Sequence, residues 1–319
     1  MIPKAELHCH LEGSISPALA HEMAVRNGID LPGDLLRADG TYEWNDFLSF
    51  LDAYDRVCRV MRTPRDFGHV IYSYLAQAAG QGAVYVEMFC SPERPEALGI
   101  SYAAWLEALA DGIDRAERDF GIVGRIIIVC IRHLGPDRAL AMVRGMVAEP
   151  HPYVVGFGMG GDEARFHKVD FAPAFRLARD KGYGCTVHAG EVLGPESVWS
   201  AIRHLPVTRI GHGVRSAEDP ALLEELARRG TVLEVCPGSN IALGFYPDRV
   251  AHPLHRLIEA GVKVTLNSDD PPFFHTSLEA EYDLAGLDEQ ALRHITRTSI
   301  EASFADEATK GRLLKGVQP

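Results

Sequence analysis

The sequence predicts an α/β protein built as a (β/α)₈ TIM barrel, and three observations lead there. Eight short β-rich apolar runs alternate with longer segments whose apolar residues recur at three- and four-residue spacing. The ionisable residues that look chemically useful cluster where those runs end, and barrel enzymes assemble their sites from the C-terminal ends of several strands. Finally, 319 residues with 46% apolar and 24% charged content suffice for one large core, and no repeat, low-complexity tract or linker divides them. Residues 1–319 are therefore read as a single domain. A doubly wound sheet would leave some of the eight runs unused.

In chain order the strand-like runs are Ala5 to His10, Ala83 to Phe89, Gly124 to Ile131, Val154 to Met159, Gly184 to His188, Arg209 to His212, Val232 to Cys236 and Val262 to Leu266. Helical periodicity marks Ala103 to Asp119, Phe171 to Lys181, Pro195 to His204, Asp219 to Arg229 and Pro253 to Ala260. Strand starts are roughly 25 to 40 residues apart except the first pair, which are roughly 78 apart, against about 30 per unit for a 250-residue barrel. The excess, approximately residues 12–82, is an insertion after strand one. It contains Trp44, Phe47 and Leu51, spaced to share one helical face. Such a stripe serves either to pack a helix on the barrel or to roof the catalytic face. The second use makes the insertion an active-site lid, with these three as substrate-facing candidates.

Charge and cysteine usage narrow the function. A formal charge of −12 argues against a nucleic-acid partner, which requires a basic footprint for phosphates. No apolar run of about 18 residues is present to span a bilayer, so no membrane partner is expected. The N-terminus lacks the apolar core of a signal peptide, which makes a cytoplasmic location the default. Six scattered cysteines, without a C-x-x-C pair, read as buried thiols and not as a disulfide frame or a cysteine zinc site. A small-molecule ligand remains, and nothing in the sequence specifies an oligomeric state.

The chemistry lies at the strand ends. His8-Cys9-His10 closes strand one, and residues two apart on a strand point to the same side, as two ligands of one ion must. Alone, that motif is as readily explained by packing. Strand five, however, runs into His188-Ala189-Gly190-Glu191, strand six into Gly211-His212-Gly213, and strand eight into Asn267-Ser268-Asp269-Asp270-Pro271-Pro272. Adjacent side chains on extended backbone face opposite ways, so Asp269 and Asp270 reach different objects, one a metal and the other a ligand. Three histidines and a carboxylate suit a borderline ion such as Zn²⁺ with a position left for water. Glu191, three residues past His188, is placed to exchange protons without binding the ion, and His212, between two glycines, brings an imidazole toward the reacting carbon.

These segments resemble the adenosine deaminase family of metal-dependent aminohydrolases. The matching stretches are Pro3-Lys4-Ala5-Glu6-Leu7-His8-Cys9-His10-Leu11-Glu12-Gly13, Gly160-Gly161-Asp162-Glu163, Thr186-Val187-His188-Ala189-Gly190-Glu191, Arg209-Ile210-Gly211-His212-Gly213, Cys236-Pro237-Gly238-Ser239-Asn240 and Asn267-Ser268-Asp269-Asp270-Pro271, in the same order and spacing. The resemblance implies a (β/α)₈ barrel with one Zn²⁺ per chain held by His8, His10, His188 and Asp269. It also implies hydrolytic attack at C6 of an aminopurine, with Glu191 protonating ring N1, His212 handling the water, and Asp269 acting both in catalysis and on the metal. Asp270 would bind N7, the Gly161 N–H would meet N3, and His10 and Glu12 would border the substrate. The cysteine arrangement of other zinc nucleobase deaminases is missing, as is the strand-four lysine of binuclear barrels, so one metal is expected.

The product expected is inosine or 2′-deoxyinosine, formed from adenosine or 2′-deoxyadenosine with release of ammonia in purine salvage. Two segments, Gly161-Asp162-Glu163 and Gly194-Pro195-Glu196-Ser197-Val198-Trp199, look like the adenosine branch. Glu12 points the other way, because many adenosine-specific members have Asp there on the ribose 5′ hydroxyl, and adenine-specific relatives carry Glu. Adenine and modified adenine nucleosides are therefore the alternative substrates. An inactive barrel kept as a purine-binding module would have lost one of His8, His10, His188, Glu191, His212 or Asp269, and all are present. His133 and His275 are further candidates for the pocket wall.

Overall fold

A computed structural model describes residues 2–317, apart from the side chain of Phe47. Its strands are β1 (Lys4–His10), β2 (Ala83–Cys90), β3 (Val123–Ile131), β4 (Val154–Gly160), β5 (Gly184–Ala189), β6 (Arg209–His212), β7 (Val232–Val235) and β8 (Lys263–Leu266). Each end falls within one residue of the position read from the sequence. All are parallel and neighbour one another in chain order. Strands buried on both faces need continuous apolar runs, which is why they stood out.

Closure between β8 and β1 is made differently from the other seams. Among the described residues the backbone exchanges two hydrogen bonds there, His10 N–H to Asp269 O at 3.0 Å and Asp269 N–H to His8 O at 3.1 Å. Lower down, side chains replace the ladder: Asn267 Oδ1 accepts from the Leu7 N–H at 2.8 Å, and Glu6 Oε1 accepts from the Ser268 N–H at 2.7 Å. The acid stretch after β8 is thus bound to the histidine stretch of β1 through the main chain itself.

Inside, the barrel is filled in layers, as such barrels are. The Phe304 ring plugs the N-terminal mouth against Gly156 and Gly184, where a Cβ would collide with it. Above lies a charged layer, with the Arg209 guanidinium stacked 3.6 Å over Phe304 and paired with Glu87 at 2.7 Å and Glu234 at 2.6 Å. All three are shut off from solvent. Above them are His8, His188 and His212, at the C-terminal ends.

The insertion differs from the sequence reading in two ways. Its last helix, α3 (Pro64–Gly80), which follows α1 (Pro17–Asn27) and α2 (Phe47–Cys58), lies backbone to backbone on the helix Tyr102–Phe120, so it is the crossover helix of the first β/α unit. Trp44 is not on a shared helical face with Phe47 and Leu51, because Asp46 and Ser49 form a capping box that starts α2 at Phe47. The buried stripe of α2 is Phe50, Ala53 and Val57, the same spacing displaced along the helix, while Leu51 is 42% exposed. Trp44 is buried outside the helix: its indole N–H donates to Phe273 O at 2.7 Å, and Phe50 packs on Phe273 and Phe274. The insertion is therefore fastened to the segment that follows Asp269-Asp270. The side chain of Phe47 falls outside the described residues.

Candidate metal and active site

The strand ends bring together the residues that the sequence singled out. Donor atoms of His8, His188, His212 and Asp269 all lie within 4.8 Å of one another, and His10 forms a similar group with Asp269 and Asp270. His10 Nε2 is 3.2 Å from His188 Nε2 and 3.4 Å from Asp269 Oδ1, and His8 Nε2 is 3.5 Å from the same oxygen. Ligands at about 2.0–2.1 Å around a tetrahedral ion sit about 3.3–3.4 Å apart. The donor set is thus spaced to hold a divalent metal ion. The hydrogen bonding agrees, because His8 Nδ1 meets Glu234 at 2.8 Å and His188 Nδ1 meets the Met159 carbonyl at 3.0 Å. Each ring is thereby turned to present Nε2, and His8 Nε2 is buried without a hydrogen-bond partner.

The backbone is strained where it must aim these side chains. His212 and Asp269 have φ of 57° and 63°, the left-handed region that non-glycine residues avoid at a cost of about 1–3 kcal/mol. Gly211 serves a purpose the sequence reading did not anticipate: a Cβ there would stand 2.8 Å from His8 Cε1, so glycine makes room for the His8 ring. Gly13 does the same for Asp270, whose Oδ1 occupies the place of a side chain.

Electrostatics divide the acids into two kinds. Burial opposes ionisation of Asp269, but the His8 ring 3.5 Å away and the other surrounding imidazoles hold it well below the usual carboxylate range. Asp270, beside it, is driven well above that range by burial and then by the Asp269 charge. Burial, with Asp269 and Glu163 nearby, pushes Glu191 up to about 8. Burial lowers His10 and His212 to about 4, leaving neutral imidazoles. For His8 burial acts downward but is outweighed by Asp269 and Glu234, which bring it up to about 9. The site thus holds one ionised carboxylate at the donor cluster and two protonated acids around it, with Glu191 Oε2 3.5 Å from His212 Nε2.

Other expected residues scatter around this centre. Glu12 is buried, has one oxygen without a partner, and is raised by burial to about 7. Gly161 follows β4 on the surface, His133 is exposed beside it, and His275 is exposed and stacked on Trp44. The sequence reading missed Glu234, which orients His8, together with Arg209 and Glu87 behind it. The signal was available for Glu87 and Glu234, each a lone charge inside an apolar strand, and a charge there must be paired.

Parallel strands closing a barrel around a histidine–aspartate cluster at their C-terminal ends define the metal-dependent amidohydrolase class. Residues 3–319 match the model of the adenosine deaminase family. The chain is 47% identical over 315 residues to an adenine deaminase of Agrobacterium fabrum, covering 98% of this chain and 96% of that one. The crystal structure of an adenine deaminase from Arthrobacter aurescens superposes with a TM-score of 0.92 at 31% identity, covering 99% of this chain and 98% of that one. An amidohydrolase from Burkholderia ambifaria with bound Zn is similar at a TM-score of 0.87 and 28% identity, covering 99% and 89%. This chain belongs to the adenosine deaminase family.

Proposed function

We propose that the protein is a zinc-dependent adenine deaminase, which replaces the 6-amino group of adenine by oxygen from water and releases ammonia. The observation that carries this reading is the whole-length likeness to proteins named adenine deaminase. It moves the substrate from adenosine, expected from the Gly161-Asp162-Glu163 segment, to the free base. Glu12 supports the move. Its carboxyl is buried with an unpartnered oxygen, at the position where the family's Asp is associated with a sugar hydroxyl. There the longer side chain meets the imidazole edge of a base and fills the space a ribose needs.

His8, His10, His188 and Asp269 would hold the zinc, which when bound supplies a Lewis acid that eases ionisation of water. Glu191 keeps a proton because it is buried, and delivers it to ring N1, drawing electrons away from C6. His212, neutral at working pH, accepts a proton from the attacking water. Asp270, also protonated, donates to N7, and Gly13 gives its carboxyl the room to do so. Trp44, anchored to Phe273, holds the insertion over the exit of β8 as part of a lid.

A second reading, deamination of adenosine and 2′-deoxyadenosine, is favoured by the adenosine-like Gly161-Asp162-Glu163 segment. Zinc-loaded protein assayed with adenine, adenosine and 2′-deoxyadenosine side by side, by ultraviolet absorbance and ammonia release, separates the two. Adenine turnover alone is expected, and Glu191→Gln should lower it by about 10²–10⁴-fold. Turnover of the nucleosides alone would establish the second reading, and turnover of none would sink both.

A further inference from the structure

The segment that carries Glu191 is held by a carboxylate the mechanism above does not use. Glu163, in the loop after β4, is 5% exposed and turns its side chain under residues 190–193. Its Oε1 accepts from the Gly190 N–H at 2.6 Å and from the Ser197 hydroxyl. Its Oε2 accepts from the N–H groups of Glu191 at 3.3 Å, Val192 at 2.9 Å and Leu193 at 3.0 Å. One side chain thus satisfies four consecutive backbone donors and a hydroxyl, using the full acceptor capacity of a carboxylate.

The clamp is built to stay charged and in place. Lys168, itself buried, donates to Ser197 Oγ at 2.5 Å and stands 3.9 Å from Glu163 Oε1. Arg132 donates to the backbone oxygen of Glu163 at 3.3 Å and to that of His188 at 2.6 Å. Arg132 thus ties the His188 end of the segment to the loop after β3, and Glu163, through the Leu193 N–H, ties its other end to the loop after β4. Burial alone would discharge Glu163, but Ser197, the backbone N–H groups and Lys168 hold it below its ordinary range.

We propose that Glu163 is a positioning residue for proton transfer: its carboxylate gathers the amides of residues 190–193 and so fixes where the Glu191 carboxyl stands. The proposal rests on the deaminase reading for the role of Glu191. Only a carboxylate fits, because an amide in its place aims N–H groups at N–H groups and forces residues 190–193 apart. Misplacing a reacting group by about 1 Å costs on the order of 10²-fold in rate.

Glu163→Gln, purified with zinc, is therefore expected to lose about 10²-fold in kcat with KM for adenine within about threefold of wild type. Its zinc content should equal that of wild type. Backbone amides 190–193 should exchange hydrogen faster, with those of the barrel strands unchanged, and Glu163→Asp should recover part of the rate. Should Glu163→Gln not fold, Ser197→Ala removes one donor and is expected to show the same two changes in smaller measure. A folded Glu163→Gln with wild-type kcat, with its loss confined to KM, or with wild-type exchange at residues 190–193 would overturn the proposal. If wild-type protein turns over no purine, the functional reading fails, while the exchange measurement still decides whether Glu163 holds the loop.

Discussion

Midway along the barrel Arg209 is matched on both sides by Glu87 and Glu234. One layer higher, His8 Nε2, His212 Nδ1, Asp270 Oδ1 and Glu12 Oε1 are buried with no hydrogen-bond partner. Both layers are closed to solvent, so exposure does not distinguish them. The lower layer is paired by charge within the chain: Glu87 Oε2 and Arg209 Nη2 make no hydrogen bond but face each other as an ion pair at 2.7 Å, Glu234 also accepts from Thr186 Oγ1 at 2.9 Å, and Glu87 accepts from Tyr85 Oη at 2.7 Å and the Phe304 N–H at 2.6 Å. The upper layer waits for something else to complete it. Buried polar groups left open at a cost of about 1–3 kcal/mol each are what a ligand site requires. Glu234 joins the layers, because it receives Arg209 from below and orients His8 above.

Arg209→Met breaks this comparison most severely. It leaves two buried carboxylates facing each other, and a loss of about 3–5 kcal/mol in unfolding free energy is expected by chemical denaturation. A smaller loss would mean that the lower layer is less tightly paired than its distances say. Glu234→Gln sharpens the link between layers. His8 loses its charged partner, and zinc affinity measured by chelator competition should fall about 10–100-fold. Unchanged affinity would separate the two layers.

The smallest effect is one of pH on the upper layer alone. In the proposed mechanism Glu191 is protonated when it acts as the acid, so kcat/KM should fall about tenfold per unit above its pKa. That bend lies at or below about 8, because a bound cation favours the carboxylate. In metal-free protein the same group makes stability fall as pH rises from about 4.5 to about 8. Over that window the unfolded chain has released the proton that the folded chain keeps, and Glu191→Gln should flatten the slope. A profile for the variant as steep as wild type would assign it to another carboxyl.

Much of this was legible before any coordinates. Strand positions were readable because parallel strands are apolar throughout, and the donor cluster because histidines and acids recurred at strand ends. The insertion was readable only in length. Spacing alone did not distinguish Trp44, Phe47 and Leu51 from Phe50, Ala53 and Val57, and the Asp46–Ser49 cap decided between them. The clamp at Glu163 was invisible, because most of its partners are backbone N–H groups, which every residue has.

The sequence by itself determined which chemical groups the protein carries at its strand ends: imidazoles and carboxyls, in an order that a barrel turns into one ring. Tertiary structure alone decided their states. Glu191 and Asp270 keep protons that Asp269 has lost, although all three are ordinary carboxyls in sequence. What separates them is burial together with the nearest charges, and both are set only when distant strands meet.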